Sequence, residues 1–340
     1  MTYKITIKPS GHQFAADAGE TILDAALRDG VTLPYGCRNG ACGACKGKVL
    51  DGGVDHGAFQ EHALSEAERG AGLTLFCCAK PLSDVAIEVR EIGATRDVAV
   101  KVMPCRVEKI EKAAPDVAIL WLKLPAGERL QFLAGQYIEI LLKDGKRRAF
   151  SLANAPHDDE FLQLHIRHVP GGLFTGFVFG GMQEKAILRF EGPHGGFFLR
   201  EDSDKPLLLV GGGTGFAPLK SIAEHLFHHR RQRAVTLYWG ARAPGDLYLA
   251  DLPRQWERQH ANFKFVPVIS EPQADGGWPG RSGFVHQAVL DDFTDLSGFQ
   301  VYACGAPAMV NAARETFTGQ RGLPGEEFFA DAFTFAGNGK

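Results

Sequence analysis

Cysteines at positions 37, 42, 45 and 77 constrain this chain more than any other feature. Cys37, Cys42 and Cys45 lie in GCRNGACGACKG with C-x4-C-x2-C spacing, and Cys77 follows in LFCCAKPLSD. This is the spacing of a plant-type [2Fe–2S] centre, whose two irons take four thiolates. A tight loop supplies three of them from one stretch of backbone, and a distant segment supplies the fourth. The loop must wrap closely, and Gly36, Gly40, Ala41, Gly43, Ala44 and Gly47 stand where bulk would not fit. Zinc is the competing occupant of a C-x2-C pair. Zinc loops usually set that pair against a second one or against close-spaced histidines, and neither follows here. Cys77 and Cys78 are adjacent, and neighbouring strand residues face opposite ways, so only one of them can ligate. Such a centre moves single electrons, so the chain is expected to carry electrons.

At 340 residues the chain is long enough for two or three domains. Lys+Arg 37 against Asp+Glu 40 argues against nucleic acid or an acidic membrane surface as the main partner. Residues 1–92 hold 9 Lys+Arg and 12 Asp+Glu, so the acidic excess lies there. The start has no apolar signal core, and no run approaches the length of a membrane span. Seven cysteines, four of them given to a cluster, suit a reducing cytoplasm better than a disulfide framework.

Residues 1–92 read as a small α+β unit. Tyr3, Ile5 and Ile7 alternate as a strand, Phe14 suits a second, and Val85, Ile87 and Val89 form the last. Thr21 caps a helix that Asp29-Gly30 stops, and Ser65-Glu-Ala-Glu68 opens a short one. The pattern matches a β-grasp domain, and the stretch resembles plant-type ferredoxins. Their Cys-x-Ala-x-Pro-x-Ser-Asp pattern selects Cys77 as the fourth ligand and leaves Cys78 as a packing residue. Residues 93–101, with Gly93 and mixed charges, read as a linker. From 102 to 202, short strands punctuated by Gly and Pro predict an antiparallel β-barrel of six strands. From 203 to 340, strand, Gly-rich turn and helix alternate, which predicts a parallel sheet.

Arg148-Ala-Phe150-Ser151 lies at a strand end within the barrel. It resembles the flavin motif of the ferredoxin–NAD(P)H reductase superfamily. The resemblance implies that Arg148 neutralises flavin phosphates, Phe150 packs on the isoalloxazine and Ser151 bonds near N5. His165-Ile166-Arg167 and the following Gly171, Gly172 and Thr175 occupy the segment that holds the ribityl and pyrophosphate in that family. Gly-rich helix starts suit phosphate. Gly192-Pro-His194-Gly195 resembles the turn that ends such barrels, which makes His194 a turn residue.

Gly211, Gly212, Gly213, Thr214 and Gly215 follow a buried strand and open a helix. Glycines let backbone approach a pyrophosphate, and the helix start favours its charge. The run matches Gly-Gly-Gly-Thr-Gly-x-Ala-Pro of the superfamily. Cys304-Gly305 follows a later strand, and the resemblance places that pair beside the nicotinamide, where Cys304 orients rather than attacks. Arg242 and Asp246 follow the second strand and bear on cofactor choice. The resemblance to NADH-using members favours NADH, with NADPH as the alternative. Among the carboxy-terminal aromatics, Phe333 is the candidate to stand near the flavin ring.

The order of ferredoxin, flavin barrel and nicotinamide domain resembles the one-component reductases of bacterial oxygenase systems and the CDP-6-deoxy-Δ3,4-glucoseen reductases. The resemblance implies FAD and a path from NADH through FAD to [2Fe–2S] and then to a partner oxygenase, or to a sugar dehydratase in 3-deoxyhexose biosynthesis. The expected protein is a cytoplasmic monomer. An iron–sulfur redox sensor is the competing class, and the complete nicotinamide motifs count against it.

Overall fold

A computed structural model describes residues 1–92, 98–272 and 278–333. It divides into two units, Met1–Ala99 with Gly195–Phe197, and Val100–His194 with Phe198–Lys340. Most of the expected linker, residues 93–97, lies outside the described residues.

The first unit runs β1 (Thr2–Lys8), β2 (Gln13–Asp17), α1 (Ile22–Arg28), β3 (Lys46–Asp51), β4 (Val54–Asp55), α2 (Glu66–Gly70), β5 (Leu73–Leu75), β6 (Lys80–Pro81) and β7 (Val85–Glu88). Its main sheet has the order β2-β1-β7-β3-β5, with β1 and β7 parallel at its centre. This is the β-grasp arrangement. The alternation read along β1 buries Ile5 and Ile7 against Ile22, Leu23, Phe76 and Ile87. Thr21 caps α1 by accepting from Asp24 N, and Ser65 and Glu68 form a capping box on α2. The last strand ends at Glu88, one residue before the expected Val89.

The second unit starts with an antiparallel sheet of β8 (Lys101–Ala114), β9 (Val117–Lys123), β10 (Tyr137–Leu141), β11 (Arg147–Ser151), β12 (Leu162–Arg167) and β13 (Ile187–His194), with α3 (Leu173–Gly180) before β13. Its order is β11-β10-β13-β8-β9-β12, and a bridge between Leu152 and Leu164 joins its two ends into a barrel. Val107, Leu120, Ile138, Leu164 and Phe190 fill the interior.

The chain then forms β14 (Leu207–Gly212), α4 (Phe216–His228), β15 (Val235–Ala241), α5 (Asp251–Gln259), β16 (Phe263–Ile269), β17 (Arg281–Ser282), α6 (Val285–Asp292), β18 (Gln300–Gly305), α7 (Pro307–Gln320) and β19 (Phe328–Ala332). Every pairing in this sheet is parallel, in the order β17-β16-β15-β14-β18-β19. Strand order reverses at β14, where β15 lies on one side and β18 on the other. Ligands of open parallel sheets bind at the carboxyl ends of strands beside such a switch point. The Gly-rich run and Cys304-Gly305 both stand there.

No helix among the described residues is long and apolar enough to cross a membrane.

Candidate redox sites

In the first unit, residues 36–47 curl through left-handed backbone at Arg38, Gly40 and Gly43. A side chain at Gly40 would strike Cys78 Sγ at 2.7 Å, Ala58 O at 2.8 Å and Phe59 Cα at 2.9 Å, so glycine is required there. Arg38 holds the loop to α1 through Asp24 at 2.9 Å. The thiols sort into two hydrogen-bonded pairs, Cys37 with Cys42 and Cys45 with Cys77. The bond from Cys42 pulls the Cys37 thiol down to about 6, and the bond from Cys45 pulls Cys77 down to about 4.

Backbone N–H groups also aim at these sulfurs. Cys37 N donates to Cys42 Sγ at 3.3 Å and Ala41 N to Cys37 Sγ at 3.4 Å, while Gly40 N faces Cys77 Sγ. Two thiol pairs ringed by amide donors fit a centre of two irons whose sulfurs carry negative charge.

Cys77 and Cys78 do not face opposite ways. They lie in a tight turn in which Cys78 N and Ala79 N both donate to Leu75 O, and their sulfurs are 3.6 Å apart. Strand alternation does not govern a turn, so the opposite facing expected of this pair is not found.

In the second unit, Phe150 is half-buried with its ring 5.3 Å from that of Phe174. Arg148 touches the Arg147 carbonyl at 2.8 Å. Ser151 is buried, and its Oγ donates to Asp331 Oδ2 at 3.5 Å. Cys304 Sγ donates to the same oxygen at 4.0 Å. Burial first, and then the Asp331 charge, push the Cys304 thiol well up, which keeps it neutral. Asp331 escaped the sequence reading because nothing nearby marks it; β19 brings it beside Cys304 in parallel register. Phe333 extends the same edge, its N donating to Gly305 O at 2.8 Å.

The Gly-rich run is packed from both sides. A side chain at Gly215 would run into the Cys304 carbonyl oxygen, and one at Gly305 would meet Gly212 O at 2.9 Å. Thr214 stands in the turn of residues Gly213–Gly215 that leads into α4. Trp239 donates from its indole to Gly213 O at 2.9 Å and stacks on Phe216 with ring centroids 4.0 Å apart. Gly211 pairs with Trp239 on one side and Cys304 on the other.

His165 and Arg167 project from β12 toward the same lobe. His165 Nδ1 bonds Tyr248 Oη at 2.8 Å, and its Nε2 is buried without a partner. Burial, then the Lys220 charge, hold this imidazole well below its usual range, so it is neutral. Arg167 pairs with Asp116 at 3.3 Å, and its Nε and Nη2 are buried without partners. A side chain at Gly213 would meet Arg167 Nη2 at 3.3 Å, so the guanidinium covers that glycine. Buried donors are normally satisfied. Such unpaired nitrogens over a glycine turn and helix start suit the phosphates of a dinucleotide.

Other candidates sit differently. Ile166 is core, and its backbone is held in the ladder opposite Ala118. Thr175 turns its hydroxyl to Val169 N and O at 3.1 and 3.2 Å, which closes the loop of Gly171 and Gly172 from within. Arg242 is exposed and lies 3.5 Å from Asp246. His194 is no turn residue; it ends β13, buried, 3.3 Å from Glu191 and 3.8 Å from Glu139. These acids with His194 have the spacing of a metal site, but Arg147 already lies 3.1 Å from Glu139 and 2.6 Å from Glu191.

The barrel and the parallel sheet are joined just past β11. Lys220 Nζ donates to Ala153 O at 3.2 Å and Ser221 Oγ to Asn154 O at 2.8 Å. Both donors lie on α4, just past the Gly-rich turn.

Comparison with known proteins fits this geometry. Residues 5–82 match the 2Fe-2S iron-sulfur cluster binding domain, 104–199 the oxidoreductase FAD-binding domain and 209–315 the oxidoreductase NAD-binding domain. The chain is 42% identical over 333 residues to the CDP-6-deoxy-L-threo-D-glycero-4-hexulose-3-dehydrase reductase of Yersinia pseudotuberculosis serotype I (strain IP32953), covering 98% of this chain and 99% of the relative. It is 37% identical to reductase component 2 of the terephthalate 1,2-dioxygenase of Comamonas sp, covering 98% of each. The crystal structure of the Amycolatopsis cytochrome P450 reductase GcoB superposes with a TM-score of 0.79 at 36% identity, covering 98% of this chain and 99% of that one.

Fold and domain content define an iron–sulfur flavoprotein oxidoreductase that takes electrons from NADH. More narrowly, the chain belongs to the single-chain [2Fe–2S]/FAD reductases of the ferredoxin–NAD(P)H reductase superfamily, which pass those electrons through FAD to the cluster and on to an acceptor.

Proposed function

We propose that Cys37, Cys42, Cys45 and Cys77 hold the cluster, that Arg148, Phe150, Ser151, Gly171 and Gly172 hold FAD, and that residues 211–215, Cys304 and Gly305 receive NADH. The convergence of Ser151 and Cys304 on Asp331 carries this reading, because it ties the flavin strand to the nicotinamide strand at one atom. FAD, when bound, accepts a hydride and releases its electrons singly.

The protein's part is positioning. Asp331 orients the Ser151 hydroxyl and the neutral Cys304 thiol. Trp239 fixes the Gly213 carbonyl and with it the turn that leads into α4. Arg167 covers the same turn, which supports a contact with the NADH pyrophosphate in addition to, or in place of, the flavin contact its motif implies. No side chain needs to abstract a proton.

The terminal acceptor in this reading is a separate oxygenase component, and the reductase works as a cytoplasmic monomer. Seven cysteines, four of them given to the cluster, support a reducing compartment. A second reading has specific support: the 42% identity to a hexulose dehydrase reductase favours a sugar dehydratase as acceptor.

The first test is reduction of cytochrome c with NADH and with NADPH, comparing the wild type with Cys42→Ser. NADH-driven activity, lost to cytochrome c but kept toward ferricyanide in the variant, supports the path; no reduction by either nucleotide overturns it. Coupled turnover with an oxygenase component or with a hexulose dehydrase then separates the two acceptors.

A further inference from the structure

We propose that Cys78 is a reserve ligand of the [2Fe–2S] centre, able to take the iron position of Cys77. The inference rests on the cluster reading above. Sulfurs bound to one tetrahedral metal lie about 3.8 Å apart when metal–sulfur bonds are near 2.3 Å. Cys78 Sγ is 3.6 Å from Cys77 Sγ, close to the separation that two sulfurs on one metal keep.

The surroundings aim the second sulfur the same way. Cys78 Sγ packs on the open face of Gly40, at the 2.7 Å that a side chain there would leave. The N–H of that same glycine faces Cys77 Sγ. Both cysteines are buried, at 8% and 9% exposure, so Cys78 is kept from solvent with its partner. The turn from Leu75 fixes both side chains, through Cys78 N and Ala79 N at 2.9 and 2.8 Å from Leu75 O.

In the exchange, the iron bond to Cys77 Sγ breaks and one to Cys78 Sγ forms. The Cys78 proton passes to the released Cys77 sulfur. The centre keeps four thiolates and its oxidation state, so no oxidant or reductant is needed. Cys37, Cys42 and Cys45 have no adjacent cysteine to replace them.

The test compares full-length Cys77→Ala, Cys78→Ala, the double variant and Cys42→Ala. Readouts are iron and sulfide per chain, visible absorption, and electron paramagnetic resonance of the reduced protein. Cys78→Ala should match the wild type. Cys77→Ala should keep most of its iron, with thiolate-to-iron absorption and shifted g values, while the double variant and Cys42→Ala lose the centre. Cys77→Ala as empty as the double variant overturns the proposal.

Cys77→Ser covers the case in which alanine loosens the turn. Absorption held at the thiolate position identifies Cys78 as the ligand. A blue-shifted, serine-ligated spectrum overturns the proposal, and so does an empty site. A wild-type chain without iron fails the cluster reading itself, and the proposal with it.

Discussion

Ser151 and Cys304 share one acceptor, Asp331 Oδ2, at 3.5 and 4.0 Å, although they stand at the ends of β11 in the barrel and β18 in the parallel sheet. One carboxylate thus links the hydroxyl to the thiol. Asp331→Asn should slow flavin reduction by NADH about 10–100-fold, as for a small misplacement of reacting groups. Stopped-flow bleaching of the flavin measures this, and bound FAD should be unchanged. Ser151→Ala added to Asp331→Asn should cost less than the two effects summed, because the residues act as a unit.

Gly215 leaves no room for a methyl group against the Cys304 carbonyl. Backbone on both sides cannot yield cheaply. Gly215→Ala is expected to cost about 1–3 kcal/mol of stability, the range for overpacking a filled site. A lower urea midpoint with an unchanged m-value would show it. NADH binding should weaken in the same protein.

Arg167 has two buried guanidinium nitrogens without partners over Gly213. Hydrogen bonds to charged groups contribute about 1.5–3 kcal/mol, so Arg167→Ala should weaken NADH binding roughly 10–100-fold. Titration of NAD+ into the oxidised enzyme, which it binds without reducing, reads the lost contact directly. A variant that binds NAD+ normally and loses FAD instead would assign the arginine to the flavin.

His165 is neutral in the folded chain because burial holds its pKa well below the ordinary imidazole value of 6.5. The unfolded chain regains that value. Below about pH 6.5 the unfolded state therefore binds a proton that the folded state does not, so this residue's effect is to reduce stability as pH falls. The slope for a single such group approaches about 1.4 kcal/mol per pH unit. Denaturation of the wild type and of His165→Gln across pH 5–8 should show a shallower decline in the variant. Equal slopes would refute the assignment.

Legibility in the sequence followed how local each feature is. The cysteine spacing, the Thr21 and Ser65 caps and the Gly-rich run are properties of short stretches, and each appears where its pattern placed it. Asp331 was not legible as a site residue, because only sheet order brings β19 beside β18. His194 read as a turn residue because Gly-Pro and Gly-Gly flank it, yet its strand runs on to it. A strand rule set Cys78 facing away from Cys77, whereas the two share a turn with their sulfurs 3.6 Å apart. The length of β8, 14 residues, was hidden by its alternating charges, since one barrel face is solvated.

The paired contacts of Lys220 with Ala153 and of Ser221 with Asn154 bear on how this protein can be recombined. A chimera cut between barrel and parallel sheet would bring together a lysine ammonium and a carbonyl that were never matched, and leave buried polar groups without partners. The flavin and nicotinamide portions should therefore be exchanged between homologues as one cassette. A seam placed among residues 93–99 spares every one of those bonds.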